Sequence, residues 1–440
     1  MFTNKHIWSI SYPIFLSLLA QNVINVTDTA FLGRIGEIEL GASALGGLVY
    51  ICVFTLAFGF STGSQILIAR RNGEQAYGLI GAVMMQGIFF LFSMAFLLFS
   101  LVHLFATPMM NLLVSSDSIL EATVDFLGIR IFGLFFAFPS VMFRAFFVGI
   151  TRTRVLTINA VLMALTNIVL DYILIFGRAG FPPMGLKGAA LASVIAEAVS
   201  FLFFVLYTRF TVDIKKYGLN RMHTFDFSLL RRILSISIFT MLQYFISMST
   251  FLFFFIAMEH IGQRELAIAN IVRSIYIVMF IPVNSLSTAA NSLVSNAIGA
   301  GYTSQVVGII KKTARFSFFI MAGCAFVFCL MPEAILSVYT NSSALIADSV
   351  PSVYTISGVM LLCAVGSVVF NGVSGTGNTS VALLIELITL VFYCLYVYII
   401  GMRLKMPVHI CFTSELIYFG LLLILSTFYL KKGRWRNKKI

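Results

Sequence analysis

Charge is what this sequence has least of. Asp, Glu, Lys and Arg make up 10% of its 440 residues, where a soluble domain carries roughly 25%. That scarcity excludes a water-soluble globular fold, and a hydrophobic content of 60% places the chain in a bilayer. Acidic residues are the scarcer kind, 17 against 29 Lys and Arg, for a net charge of +12. The excess does not point to nucleic acid. No nucleic-acid motif is present, and most basic residues cluster at the ends of apolar segments, as membrane topology requires. The five histidines (His6, His103, His223, His260 and His409) are scattered and form no HExxH pair. The six cysteines show no CxxC or CxxH spacing, which argues against zinc. All six lie in apolar segments and are expected to be buried free thiols. No cluster of His, Ser or carboxylates sits near one interface, as a membrane-embedded enzyme would require. The first apolar run is too long for a cleavable signal peptide and reads as a retained helix.

A transmembrane helix needs about 20 apolar residues. Twelve candidates fit: 7–33, 40–68, 79–105, 120–149, 154–177, 185–209, 230–259, 266–297, 309–331, 345–373, 380–402 and 408–430. They are too long for barrel strands, so the expected fold is an all-α integral membrane protein. With a cytoplasmic N-terminus, only Arg34, Arg178, Lys187, Arg264, Arg403 and Lys405 fall outside, and Arg130, Arg144 and Arg273 fall within spans. The other 20 of the 29 basic residues, Arg221, Lys438 and Lys439 among them, are inside. That bias sets both termini in the cytoplasm. The loop "TVDIKKYGLNRMHTFDFSLL" at 210–229 divides the spans six and six. The expected organisation is an N-terminal lobe at 1–209, this cytoplasmic linker, and a C-terminal lobe at 230–440 with a basic tail.

The halves repeat. "IWSIS" (7–11) matches "ILSIS" (233–237), "IGEIEL" (35–40) matches "IGQREL" (261–266), and "GITRT" (149–153) matches "GTGNT" (375–379), all displaced by 226. "GSQILIARRNGE" runs beside "ANSLVSNAIGAGY" at a displacement of 228, which sets Gly73 over Gly301. A repeat of six spans preserves membrane orientation, so a pseudo-two-fold axis along the membrane normal relates the two six-helix lobes, as in parallel-repeat transporters.

The repeat carries an asymmetry. Asp28, in "NVINVTDTAFLG", maps onto Phe254, and Asp171, in "TNIVLDYILIFG", maps near Leu395–Val397. Both mid-helix aspartates therefore belong to the first half. At 1.5 Å per residue, Asp28 lies about 8 Å, Asp171 about 9 Å and Ser193 about 12 Å below the outer helix ends. Asn167 is one turn from Asp171 on the same face. Two carboxylates at one level in low dielectric share a proton or bind a hard cation, so H⁺ and Na⁺ both fit. The candidate cation-coupling set, and the possible Na⁺ ligand set, is Asp28, Asn167, Asp171 and Ser193.

Other candidates follow from position. Pro13 should bend helix 1, because it removes a hydrogen bond and crowds the preceding turn. Gln21, Asn22, Asn25, Glu197 and Arg273 are candidates for a substrate cleft. Glu386 and Glu415 read as polar contacts near helix ends. Arg144 is placed to snorkel, and Arg273 to pair with Glu265 or line the cleft.

The chain resembles the multidrug and toxic compound extrusion (MATE) transporters, within the wider group that holds polysaccharide and lipid-precursor flippases. The likeness rests on "NVTDTAFLGRIGEIELGA", "GSQILIARRNGE", "FFVGITRTR", "TNIVLDYILIFG", "MGLKGAALAS" and "SNAIGAG". It implies two lobes around a cleft open alternately to either side. It also implies export of amphipathic, often cationic, small molecules by antiport with H⁺ or Na⁺, with no cofactor. In the prokaryotic DinF-type branch the coupling roles fall on Asp28, Asn167, Asp171 and Ser193, the last being Thr in many members, and the bending proline on Pro13. The NorM-type branch instead uses carboxylates in helices 7, 8 and 10, and none stands mid-helix there. The resemblance implies a monomer in the bacterial inner membrane. The runner-up is a lipid-linked oligosaccharide flippase, which would favour the basic cleft that Arg130, Arg144 and Arg273 could supply.

Overall fold

The structure is a computed structural model that describes residues 3–113, 116–220, 224–340 and 342–437. Arg221, His223, Lys438 and Lys439 lie outside the described residues. Among the described residues twelve helices are long and apolar enough to cross a membrane: α1 Asn4–Leu32, α2 Glu37–Gly73, α3 Tyr77–Asn111, α4 Asp117–Gly149, α5 Arg154–Phe176, α6 Gly185–Thr211, α7 Phe227–Ile261, α8 Gln263–Gly299, α9 Thr303–Leu330, α10 Ser343–Gly375, α11 Thr379–Arg403 and α12 Val408–Lys432. No strand occurs among the described residues. Several helices outrun their apolar cores: α2 begins three residues before its expected start at 40, and α7 three before 230. Hydropathy marks only the hydrocarbon layer, whereas the i→i−4 ladder continues into the polar interface. α4 is interrupted by a 3₁₀ turn at Ile131–Gly133.

The repeat is written into the backbone. α2 and α8 each have 37 residues, and both ends are displaced by 226. Both ends of α4 and α10 are displaced equally, as are the 3₁₀ turns Tyr77–Leu79 and Thr303–Gln305. Left-handed residues coincide too: Gln75 (φ 59°) with Gly301 (φ 80°), and Thr151 (φ 59°) with Gly377 (φ 89°). The register therefore stays at 226, and the expected pairing of Gly73 with Gly301 is corrected. Gly73 corresponds to Gly299, the last residue of α8. The small residues around 290–302 allow a sliding sequence match, whereas the helix ends do not.

Residues 16–241 form one compact unit; residues 1–15 with 242–440 form the other. α1 is thus divided after Phe15, two residues beyond Pro13, and α7 after Met241. In the first unit the opening of α7 lies directly on α2. Ser237 Oγ donates to the Phe60 carbonyl at 3.1 Å, and Thr240 Oγ1 to the Gly59 carbonyl at 2.6 Å. A Cβ on Gly59 would sit 2.5 Å from Met241 Cα, and one on Gly63 2.5 Å from Ser237 Cα. These two glycines form a GxxxG contact, which lets backbones approach without side chains between them. α5 and α6 also meet closely, since a Cβ on Gly188 would lie 2.8 Å from the Leu174 carbonyl carbon.

Apolar residues do not all point inward. Phe92, Phe96 and Leu104 of α3 are exposed, as a surface facing lipid tails permits. The cysteines divide likewise: Cys363 and Cys411 are buried free thiols, whereas Cys52 and Cys329 are exposed. This corrects the expectation that all six are buried. In a bilayer an apolar segment has two apolar destinations.

Candidate functional site

The site forms within the compact unit 16–241. Asn167 and Asp171, one turn apart on α5, are both fully buried, at 1% and 0% exposure. Asp28 reaches them from α1. Its carboxyl group and that of Asp171 reach the same amide nitrogen. The Asn167 amide sits between them. Its nitrogen donates to Asp28 Oδ1 at 3.0 Å and to Asp171 Oδ2 at 3.2 Å in the orientation its neighbours require. The other end of the amide lies 3.5 Å from the Ser193 hydroxyl on α6. All four residues of the coupling set thus come together.

The pair has no directly bonded counter-charge among the described residues. Neither Asp28 nor Asp171 forms an ion pair with Lys, Arg or His among the described residues. Asp171 Oδ1 is buried with no hydrogen-bond partner. An ionised carboxylate stripped of water needs a proton, a cation or donors, and here one amide nitrogen serves two acids. The geometry suits one proton shared by the carboxyl oxygens; a small hard cation would need the Asn167 amide turned so that its oxygen joins those of the carboxylates and the Ser193 hydroxyl. Among the described residues no group of three or more His, Cys, Asp or Glu is arranged to hold a metal ion.

Asp28, Asn167 and Ser193 line a cavity of about 400 Å³, together with Gln21, Asn25 and Glu197. Asn22 is not among its lining residues. Arg273 belongs to the other compact unit, where it lies 5.1 Å from the Phe255 ring centroid. It forms no ion pair with Glu265 among the described residues. Pro13 lies inside a continuous α1 and also falls in the other unit.

Sequence reading missed a second cluster in this cavity. Arg130 grips Glu197 with both guanidinium nitrogens, at 2.9 and 2.6 Å. The Tyr50 hydroxyl donates to the same carboxylate at 2.9 Å. The Arg130 guanidinium also stacks 3.6 Å from the Tyr50 ring centroid. A bidentate pair of this kind fixes geometry as well as charge. Gly133, in the 3₁₀ turn of α4, makes room for it, because any Cβ there would overlap the Glu197 carboxylate. The available signal was Glu197 itself, one turn from Ser193 on the same helix face. Arg144 turns over the Phe58 ring at 4.9 Å and lines a smaller cavity of about 100 Å³, where snorkelling had been expected. An aromatic face at that distance attracts the cation through its ring quadrupole.

The family model described as MatE matches residues 13–173 and again residues 237–399. The two matches are displaced by 224 at their starts and 226 at their ends, which reproduces the internal repeat. The chain is similar to the "Probable multidrug resistance protein NorM" of Thermotoga maritima, at 25% identity over 88% of this chain and 83% of that protein. It is also similar to the protein of that name from Synechocystis, at 24% identity over 76% and 72%. Among solved structures, an "outward-facing conformation of a multidrug resistance MATE family transporter of the MOP superfamily" superposes with a TM-score of 0.88. It shares 18% identity over 99% of this chain and 97% of that one. A MOP superfamily transporter from Pyrococcus furiosus, described as having a "reverse polarity of binding pocket", gives a TM-score of 0.85 at 19% identity over 98% and 95%.

Proposed function

The chain belongs to the MatE family and is a multi-pass membrane transporter of the multidrug efflux type, not an enzyme; from that premise we propose that it is a secondary active antiporter exporting amphipathic organic cations in exchange for H⁺ or Na⁺. The observation that carries the proposal is the Asp28–Asn167–Asp171 bridge, with a buried, unpartnered carboxylate oxygen, on the wall of a cavity inside the membrane-embedded unit. Intramembrane acids are costly and mark ion paths. In this reading the pair takes up a proton or Na⁺ from one side and releases it to the other; Asn167 steadies the two acids through its amide nitrogen, and for Na⁺ its amide would turn to present its oxygen beside the Ser193 hydroxyl. Both termini face the cytoplasm of a bacterial inner membrane, and the chain acts as a monomer.

The flippase alternative rests on a basic cleft. It loses support from Arg130, whose charge is matched by Glu197. The test is transport by purified protein in liposomes, with an imposed pH or Na⁺ gradient and a fluorescent cationic dye. Dye export driven by one gradient identifies the ion. Dye that stays put under both gradients, alongside translocation of a polyprenyl-phosphate lipid, would establish the flippase instead.

A further inference from the structure

The repeat has a second cavity, in the unit formed by residues 1–15 and 242–440. It measures about 120 Å³ and is lined by Ser247, Thr250, Tyr276, Tyr393, Glu415 and Tyr418, with Phe251 and Leu390. Displaced by 226, Gln21, Ile24, Asn25, Tyr50 and Asn167 of the first cavity become Ser247, Thr250, Phe251, Tyr276 and Tyr393. The two cavities are therefore the same place in the two halves, with different contents. Where the first half sets amides beside acids from α1 and α5, the second sets aromatic rings beside an acid from α12.

The rings and the acid are organised. Tyr393 and Tyr418 meet nearly edge to face, centroids 6.0 Å apart at 75°. Tyr393 Oη donates to Glu415 Oε1 at 3.2 Å. Behind this wall, Tyr418 Oη and Ser247 Oγ each donate to Glu386 Oε1 at 2.6 Å. Glu386 is 1% exposed and its Oε2 has no partner. Among the described residues neither Glu386 nor Glu415 pairs with a basic side chain. Glu197 of the first unit shows the contrast, since Arg130 answers it. Aromatic faces around a carboxylate recognise ammonium groups that cannot hydrogen-bond. The cavity is smaller than the roughly 300–1,000 Å³ of drug-sized pockets, so it admits a head group and not a whole drug.

We propose that the cavity bounded by Tyr276, Tyr393, Tyr418 and Glu415 is a binding site for a small alkylammonium group. The proposal takes its place in a transport cycle from the export reading above, but its recognition chemistry stands apart from that reading. The test uses the full-length protein in lipid nanodiscs, with tetramethylammonium as probe, measured by calorimetry. Saturable binding is expected. Glu415→Gln and Tyr276→Leu should each weaken it by about ten-fold or more, while Tyr393→Phe, which keeps the ring, should stay within about three-fold. Two substitutions on different helices guard against one variant's misfolding, and size-exclusion elution like the parent's qualifies each. The double variant Asp28→Asn/Asp171→Asn should bind the probe as the parent does. Choline should displace the probe, and its uncharged carbon isostere 3,3-dimethylbutan-1-ol should not. Absent binding, binding indifferent to both Glu415→Gln and Tyr276→Leu, or equal displacement by the isostere would overturn the site. Dye export without probe binding removes the site and leaves the exporter; probe binding without dye export under either gradient does the reverse.

Discussion

Removing one partner of the Arg130–Glu197 pair leaves the other deep in the protein without its counter-charge. Their side chains are only 14% and 7% exposed. Glu197→Gln should therefore destabilise the protein by about 3 kcal/mol, because breaking a buried pair costs far more than the pair contributes. Thermal unfolding in detergent checks this, and Arg130→Met together with Glu197→Leu should recover much of the loss. An equal loss in the double replacement would mean that the pair does more than neutralise. Backbone conformation gives the opposite sign. Thr151 holds a left-handed φ of 59° where the second half has Gly377. A side chain there is strained by roughly 1–2 kcal/mol, and glycine gives part of that back as chain entropy. Thr151→Gly should thus stabilise by about 0.5–1 kcal/mol, and a lower melting temperature would count against it. The meeting of Asp28 and Asp171 was legible at this scale, since a lone carboxylate in an apolar run stands out and helix rise gives its depth. Tyr50 was not, because a tyrosine in an apolar helix looks the same whether it packs or donates.

Helices were legible as spans and less so as partners. Hydropathy found all twelve, but which faces meet depends on small residues that carry no hydropathic mark. Gly59 and Gly63 let α7 rest on α2. Gly63→Leu should separate them, and overpacking at a tight contact costs typically about 1–3 kcal/mol. Its expected effect is a lower melting temperature with dye export reduced in proportion to folded protein. Membrane insertion without any change in stability would show that the contact is dispensable. α7 also has a device at its start. Asp226 Oδ1 accepts from the Ser228 hydroxyl at 2.7 Å and from the N–H groups of Ser228 and Leu229 at 2.8 and 3.2 Å. The Ser228 hydroxyl first, then the Leu229 N–H, holds this carboxyl below its ordinary value near 3.8. A depressed folded value means that the stabilisation is present above the unfolded value and is lost as pH falls through the folded one. Hydrogen exchange at residues 228–231 should hold steady down to about pH 4 and then rise. Asp226→Asn, which caps without titrating, should remove that pH dependence.

At the scale of the molecule, a repeat supplies two equivalent frameworks, and the Asp28–Asp171 pair occupies one. The repeat was legible because three short matches shared a displacement; the seam of the compact units was not. That seam runs through α1 beside Pro13 and through α7 after Met241, where the sequence shows no break in hydrophobicity. The difference between the frameworks bears on coupling. At the position of Asp28 the second half has Phe254, 2% exposed and 4.9 Å from Phe412 by ring centroids, and at the position of Asn167 it has Tyr393. The aspartate pair thus has no duplicate at the equivalent positions of the second half. On the proposal that the driving ion binds this pair alone, export should depend on that ion with a Hill coefficient of about 1. Asp28→Asn should abolish gradient-driven dye export while the protein still reaches the membrane and elutes normally, because an amide accepts no proton and carries no charge to balance a cation. Asp171→Asn should do the same, since neither acid suffices when the ion lies between the two. Phe254→Leu, an apolar exchange at the equivalent position, should leave the ion dependence unchanged. Measuring initial rates in liposomes across a range of pH and Na⁺ separates these outcomes. Undiminished coupling in Asp28→Asn would place the ion elsewhere in the fold and leave the carboxyl pair of α1 and α5 a matter of packing.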